Sequence, residues 1–338
     1  MDPRVVIVGA TGAVGKVALQ VLEERNFPMS SLRLCASERS VGKTLDFRGK
    51  PITLELVTEA LLRESDIAFI SANDNVSRDI GRLAADCGCV VIDDSAVWRM
   101  DADVPLVIPE VNGDDVDGHK GILSIPNCST TTMVMALWPL HRANPIRRIV
   151  VDTYQSVSGT GAAAMAELDR QNADLLAGRP TEAAAYPYQI AYNLLPHIGS
   201  FRDNGYTSEE VKMMQETRKI MHASDIAISA TCVRVPVQLC HSESVHVEFT
   251  DPMSPGEARE LLAGFPGVVV ADDPAAKRYP MPLEGQGKDE TFVGRIRSDA
   301  SNPKGLALWV VSDNLRKGAA TNAVQIAEEV VRRKAWLR

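Results

Sequence analysis

Residues 4–9, Arg-Val-Val-Ile-Val-Gly, run directly into Ala-Thr-Gly-Ala-Val-Gly, and this junction constrains the fold most. An unbroken apolar run of this length reads as a parallel strand buried on both faces. Residues 13–25 then carry Val14, Val17, Ala18, Val21 and Leu22 at helical spacing. Glycines between a strand and a helix permit a tight turn. They also let the backbone approach a pyrophosphate, which a helix N-terminus attracts. The spacing predicts a dinucleotide site at Gly9, Thr11, Gly12, Ala13, Val14 and Gly15. A turn that serves packing alone is the alternative. Further short apolar strands are expected at 32–36, 67–71 and 90–93, with helical patterns between some of them. Alternating β and α elements imply a Rossmann-like α/β domain with a parallel sheet covered on both faces.

The texture changes after Cys128. A strand is expected at 148–154, then an alanine-rich stretch at 162–185 and an irregular one to about 206. A helix is expected at 209–221, and strands at 226–235, 244–249, 291–297 and 306–312. That order suits a mixed or antiparallel sheet in a second, α+β domain. The stretch 319–338 reads as an amphipathic helix, with Ala323, Ile326, Val330 and Val331 on one side, returning to the first domain. The expected division is 1–128 with 315–338 for dinucleotide binding, and 129–314 for substrate binding and dimerisation. A length of 338 residues suits two domains.

The end of the second strand sets the choice of dinucleotide. Ala36-Ser37-Glu38-Arg39-Ser40 offers Arg39, Ser37 and Ser40 to a ribose 2′-phosphate, which favours NADP. Glu38 argues the other way, and a solvated charged loop is the alternative.

A net charge of −8 argues against nucleic acid, whose phosphates need a basic surface. There is no apolar run of 18 residues and no charged-then-apolar leader at the N-terminus, so a cytoplasmic protein without a membrane span is expected. The six cysteines have no zinc spacing and no metal site is expected. Cys35, Cys87 and Cys89 read as small buried apolar residues.

Cys128 follows Asn127 and precedes Ser-Thr-Thr-Thr and an apolar periodic run, Met133, Val134, Leu137 and Trp138. This is how a helix start is written, with a cap residue before it. A thiol there faces unpaired N–H groups and the positive end of the dipole, which favour the thiolate. His241 and Arg234, in Arg-Val-Pro-Val-Gln-Leu-Cys-His-Ser-Glu, offer an acid/base and a carboxylate clamp. Together these residues suggest covalent thiol catalysis on a small anionic substrate. Glu209 and Lys212 lie on one helix face, where an intrahelical ion pair is the plain reading.

Several motifs in one order resemble the aspartate-β-semialdehyde dehydrogenase family over nearly the whole chain. They are Gly9–Gly15, Arg39-Ser40, Arg99 in Trp-Arg-Met-Asp, Pro-Asn-Cys-Ser-Thr-Thr, Tyr-Gln-Ser-Val-Ser-Gly-Thr-Gly and Arg-Val-Pro-Val with His-Ser-Glu. Between them fall Tyr-Pro-Tyr-Gln-Ile-Ala-Tyr-Asn, Phe-Val-Gly-Arg-Ile-Arg and Ser-Asp-Asn-Leu-Arg-Lys-Gly-Ala-Ala. The resemblance implies reduction of L-aspartyl-4-phosphate by NADPH to the semialdehyde, with release of inorganic phosphate. It implies Cys128 as nucleophile, His241 as proton shuttle and Gln155 orienting the acyl group. Arg234 would clamp the α-carboxylate, and Glu209 would face the α-ammonium. Arg99, Lys212 and Asn127 would surround the phosphate, and Ser158, Gly159 and Asn314 would contact the nicotinamide side. A homodimer is implied too. The rival readings are a related reductase, such as one for N-acetylglutamyl phosphate, and a non-catalytic dinucleotide sensor. Three places depart from the family pattern: Asp94 in Asp-Ser-Ala-Val-Trp, Asn73-Asp74 in Ser-Ala-Asn-Asp-Asn-Val-Ser, and Cys240 where a small residue is usual.

Overall fold

The computed structural model describes residues 2–336; Met1, Leu337 and Arg338 lie outside the described residues. The chain divides into two compact units, Met1–Pro126 with Ala319–Arg338, and Asn127–Gly318.

The first unit begins with β1 (Arg4–Val8), α1 (Ala13–Glu24), β2 (Ser31–Cys35), β3 (Thr44–Phe47) and β4 (Lys50–Glu55). It continues with α2 (Glu59–Arg63), β5 (Ile67–Ile70), α3 (Asp74–Asp86), β6 (Val90–Asp93), α4 (Pro109–Asn112) and β7 (Ile122–Ser124). The seven strands form one sheet in the order β3-β4-β2-β1-β5-β6-β7. All pair in parallel except β3 with β4. The chain leaves β1 toward β2 and later returns to β5 on its other side, which makes the carboxyl end of β1 the topological switch point. The sheet's apolar residues face two separate cores: Val5 and Ile7 join one, Val6 and Val8 the other. That two-sided burial is why β1 is an unbroken apolar run.

The β3–β4 hairpin lies beyond what the apolar runs predict. Phe47 pairs with Lys50, so its turn is Arg48-Gly49, with both residues in the left-handed region at φ +53° and +71°. Positive φ at both turn residues matches the twist of the flanking strands.

The second unit opens with α5 (Cys128–Ala143), β8 (Ile146–Gln155), α6 (Ala162–Leu176), α7 (Ser208–Ile220), β9 (Ala227–Arg234) and β10 (His241–Phe249). Then come α8 (Pro255–Ala263), β11 (Val268–Val270), α9 (Pro282–Gly285), β12 (Thr291–Ser298) and β13 (Gly305–Ser312). The six strands run in the order β11-β12-β13-β10-β8-β9 as a mixed sheet. Only β8 with β9 and β11 with β12 are parallel. Alternation along β8 buries Ile149, Val151, Thr153 and Gln155 and leaves Tyr154 on the opposite, exposed face. β10 begins three residues before the expected strand, and this places His241 inside the sheet register.

The final helix, α10 (Thr321–Arg332), packs in the first unit, where Ala323, Ile326, Ala327 and Val330 join the core that contains Val5 and Ile7. It stops short of the predicted end. Lys334 turns left-handed at φ +57°, and the Ala335 N–H returns to the Val330 carbonyl at 2.9 Å, a Schellman closure without glycine. The last two residues of the expected helix are outside the described residues. Among the described residues, no helix is long and apolar enough to cross a membrane.

Candidate active site

In the first unit the Gly9 turn is built by close packing. Gly9 has φ +91°, and a Cβ there would meet the Ser71 carbonyl oxygen at 2.0 Å. A Cβ on Gly15 would meet the Gly9 carbonyl at 2.3 Å, so helix and strand touch through backbone. Gly12 caps α1 with no side-chain hydrogen bond, which leaves the first N–H groups of a 12-residue helix uncapped by any side chain. A Cβ on Gly12 would meet only the Gly9 carbonyl, at 3.3 Å. An open cradle of N–H groups at the switch point fits a pyrophosphate. Thr11, Ala13 and Val14 line the same turn, half-buried. Arg39 and Ser40 sit in a single turn of 3-10 helix just after β2, and Ser37 is the extended residue that precedes it. Arg39 is exposed there and forms no ion pair among the described residues.

Arg99 is buried in this unit and donates from Nη2 to the main-chain carbonyl of Asp94 at 2.8 Å. The Asp94 carboxylate accepts from Ser71 Oγ at 3.3 Å. Burial pushes the Asp94 carboxyl up to about 6, although the Arg99 guanidinium pulls against it. Asn73 caps α3, its Oδ1 accepting from the N–H groups of Asn75 and Val76, so the Asn73-Asp74 departure is a helix start.

The second unit gathers the remaining candidates. Cys128 is the first residue of α5 and Asn127 is its cap. Asn127 Oδ1 accepts from the Cys128 thiol at 3.3 Å and from the Ser129 N–H at 3.4 Å. A Cβ on Gly318 would lie 2.9 Å from Cys128 Cβ, so glycine is what fits behind the thiol.

The sheet supplies the other groups in one inward row. Register sets Gln155 of β8 opposite Arg234 of β9. β10 pairs antiparallel with β8, with Ser242 opposite Tyr154, and starts at His241. α7 then closes the array. Glu209 Oε1 accepts from Asn127 Nδ2 at 2.8 Å and from Gln155 Nε2 at 3.1 Å, and its Oε2 pairs with Lys212 at 3.3 Å. Burial pushes this carboxyl up, but the Lys212 ammonium, the two amides and the Arg234 charge outweigh it and hold it below the ordinary range. Glu209 and Lys212 do form the intrahelical ion pair, and the same carboxylate also joins the cap of the thiol to Gln155.

His241 is fully buried, and Nδ1 accepts the Ser156 main-chain N–H at 3.1 Å. Burial, helped by the Arg234 charge, pushes its imidazole down to about 3, so the ring is neutral. With Nδ1 accepting, the proton resides on Nε2, which has no hydrogen-bond partner. Arg234 Nη1 holds the Ser156 carbonyl at 2.7 Å, and its Nε also has no partner. Gly159 makes room for both: a Cβ would sit 2.9 Å from Arg234 Nη1 and 3.3 Å from the His241 ring. Asn314 Oδ1 gathers Ser156 Oγ, Ser158 Oγ and the Cys240 N–H at 3.0–3.1 Å, while its buried Nδ2 has no partner. Cys240 has φ +70°, which explains why a small residue suits this position.

Sequence reasoning missed Ser156, which is the hub between Arg234, His241 and Asn314, and Gly318. It also missed Glu216, whose Oε2 accepts the Asn127 main-chain N–H at 2.7 Å. A seven-residue spacing from Glu209 on a predicted helix was the available signal for Glu216. Among the described residues, no cluster of three or more His, Cys, Asp or Glu side chains is placed to hold a metal ion.

A doubly wound dinucleotide-binding unit, followed by a mixed-sheet unit that carries a capped thiol and a neutral histidine, defines a dinucleotide-dependent dehydrogenase class. Residues 4–119 match the semialdehyde dehydrogenase NAD binding domain, and residues 137–317 match the semialdehyde dehydrogenase dimerisation domain. The aspartate-semialdehyde dehydrogenase of Aquifex aeolicus is 53% identical over 336 residues, covering 98% of this chain and 99% of that protein. That of Legionella pneumophila is 52% identical, covering 96% and 94%. The crystal structure of aspartate semialdehyde dehydrogenase II from Vibrio cholerae superposes with a TM-score of 0.96 at 46% identity, covering 98% and 99%. A second structure of that protein is complexed with ASA. The chain belongs to the aspartate-semialdehyde dehydrogenase family.

Proposed function

We propose that this protein catalyses the NADPH-dependent reduction of L-aspartyl-4-phosphate to L-aspartate-4-semialdehyde and inorganic phosphate, through a thioester on Cys128. The observation that carries this reading is the shared carboxylate of Glu209, which ties the cap of the thiol to Gln155. The thiolate sulfur attacks the acyl carbon, the S–C bond forms and the phosphate oxygen leaves with its electron pair. NADPH, when bound, supplies the hydride that reduces the thioester. His241 Nε2–H shares its proton with the oxyanion that hydride addition leaves, and recovers it as the C–S bond breaks. Collapse then releases the aldehyde and restores the thiolate. Gln155 orients the acyl group.

Arg234 is assigned to the α-carboxylate; its unpartnered Nε supports a bidentate clamp. Glu209 is assigned to the α-ammonium, and its ionised state supports a zwitterionic substrate over an N-acylated one. Asn127, Lys212 and Arg99 are assigned to phosphate. Gly9–Gly15 would hold the pyrophosphate, and Ser37, Arg39 and Ser40 the 2′-phosphate. Ser158, Gly159 and Asn314 are assigned to the nicotinamide side, an assignment supported by the unpartnered amide of Asn314. The matched dimerisation domain and the exposed Tyr154, packed on Trp309 with ring centroids 5.4 Å apart, support a homodimer. A cytoplasmic location is proposed with it.

The test is a phosphate-dependent oxidation of aspartate semialdehyde with NADP and with NAD, run on the wild-type enzyme and Cys128→Ser. The serine variant should fold, bind NADP and lose nearly all turnover, because an alcohol is a far weaker nucleophile at neutral pH. Normal turnover by that variant would end the covalent mechanism.

A further inference from the structure

Helix α7 bears on the cap of the thiol, Asn127, with two carboxylates. A capping box fixes its start, with Thr207 and Glu210 bonding each other's main-chain N–H groups. Glu209 and Glu216 follow two turns apart, so they project from one face. Both are buried, and both end on Asn127. Glu209 Oε1 takes its side-chain Nδ2 at 2.8 Å, and Glu216 Oε2 takes its main-chain N–H at 2.7 Å. The same asparagine turns its Oδ1 to the Cys128 sulfur at 3.3 Å and to the Ser129 N–H. On the other side Gly318 approaches so closely that a Cβ would lie 2.9 Å from Cys128 Cβ. A buried main-chain N–H that loses its acceptor is costly, so the loop would move to satisfy it.

We infer that Glu216 is a positioning residue for the nucleophile: it sets the Asn127 backbone and thereby the first turn of α5, where the helix N–H groups favour the Cys128 thiolate. The inference rests on the reading of Cys128 as the nucleophile. Glu209 is committed to substrate and to Gln155 in that reading, whereas Glu216 reaches the site through the Asn127 backbone.

The experiment compares Glu216→Gln, Glu216→Ala and Glu216→Asp in the full-length enzyme. The pH dependence of Cys128 alkylation by iodoacetamide is followed by mass spectrometry, alongside kcat, KM and the NADP dissociation constant. Glutamine keeps an oxygen that can accept the Asn127 N–H. It should retain the wild-type alkylation profile and a kcat within about threefold. Alanine removes the acceptor. It should raise the thiol pKa by about one unit and lower kcat roughly tenfold or more, with NADP affinity unchanged. Aspartate, one methylene shorter, should fall between them, and it decides the matter if the alanine variant does not fold. A role in stability alone would lower the melting temperature and leave the thiol profile of the folded enzyme where it was. A wild-type alkylation profile in the alanine or aspartate variant, or a glutamine variant as impaired as alanine, overturns the inference. Failure of the underlying reading looks different: wild-type enzyme fully alkylated at Cys128 would keep its turnover, whatever the Glu216 variants do.

Discussion

His241 Nδ1 accepts the main-chain N–H of Ser156 at 3.1 Å, and this one bond decides which nitrogen of the ring carries the proton. Because the acceptor nitrogen is committed to backbone, Nε2–H is the end left for chemistry. Ser156 in turn offers its carbonyl to Arg234 at 2.7 Å, so the proposed acid/base and the proposed carboxylate clamp share one anchoring residue.

Gly159 is expected to be intolerant of any side chain. A Cβ there would sit 2.9 Å from Arg234 Nη1 and 3.3 Å from the His241 ring. Gly159→Ala should lower kcat/KM by roughly 10- to 100-fold, the effect of displacing catalytic groups by a fraction of an ångström to an ångström. Thermal unfolding should change little, since the site loses its aim and the core is untouched. Unchanged kcat/KM would mean that the pair yields without consequence.

The neutral state of His241 makes stability fall on the acid side. Burial and Arg234 hold the folded pKa near about 3, against about 6.5 for an unfolded histidine. A depressed folded pKa contributes stability that is present above the unfolded value and is lost as pH falls toward the folded one. Between pH 7.5 and 5 that loss is about 2 kcal/mol. Urea unfolding of His241→Gln should lack this component. Equal acid sensitivity in the two proteins would show that the ring is charged or exposed in the fold.

Asp94 carries the opposite sign. Its folded pKa of about 6 lies above the ordinary 3.8, with burial as the first cause. The group is therefore neutral for stability at low pH and costs stability as pH rises through 6. The full linkage is about 3 kcal/mol, reduced to about 1–3 kcal/mol because the side chain is only half-buried. Asp94→Asn keeps an acceptor for Ser71 Oγ and should be more stable than wild type at pH 7.5, with the gain fading near pH 4. A gain of the same size at both values would point to packing rather than to charge.

Arg39 should govern the choice of cofactor. It is exposed after β2 and forms no ion pair among the described residues, which leaves its guanidinium for a 2′-phosphate. Arg39→Ala should weaken NADP binding by about 1.5–3 kcal/mol, the range for a charge-assisted hydrogen bond. NAD binding should change little. Equal weakening of the two by calorimetry would assign Arg39 to the loop instead.

Much of this protein was legible from local chain chemistry. A buried strand must be apolar on both faces, and a turn that meets Ser71 at backbone distance admits only glycine at position 9, so Val5–Val8 and Gly9 announce a doubly wound sheet. A helix start needs a cap, so Asn127 before Cys128 announces where α5 begins. The Arg48-Gly49 hairpin and the early start of β10 were not legible, because a polar edge strand and a strand opening on His-Ser-Glu lack an apolar alternation. The tertiary structure alone decided how the polar groups share partners. Gln155, Arg234 and His241 come together through strand pairing between distant segments, and Glu216 reaches Asn127 across 89 residues of sequence. Periodicity reports which face of an element is buried. Only strand register and helix packing determine which buried acceptor meets which donor; that pairing keeps Glu209 ionised and holds Asn127 at both ends, while the burial that packing imposes leaves His241 neutral.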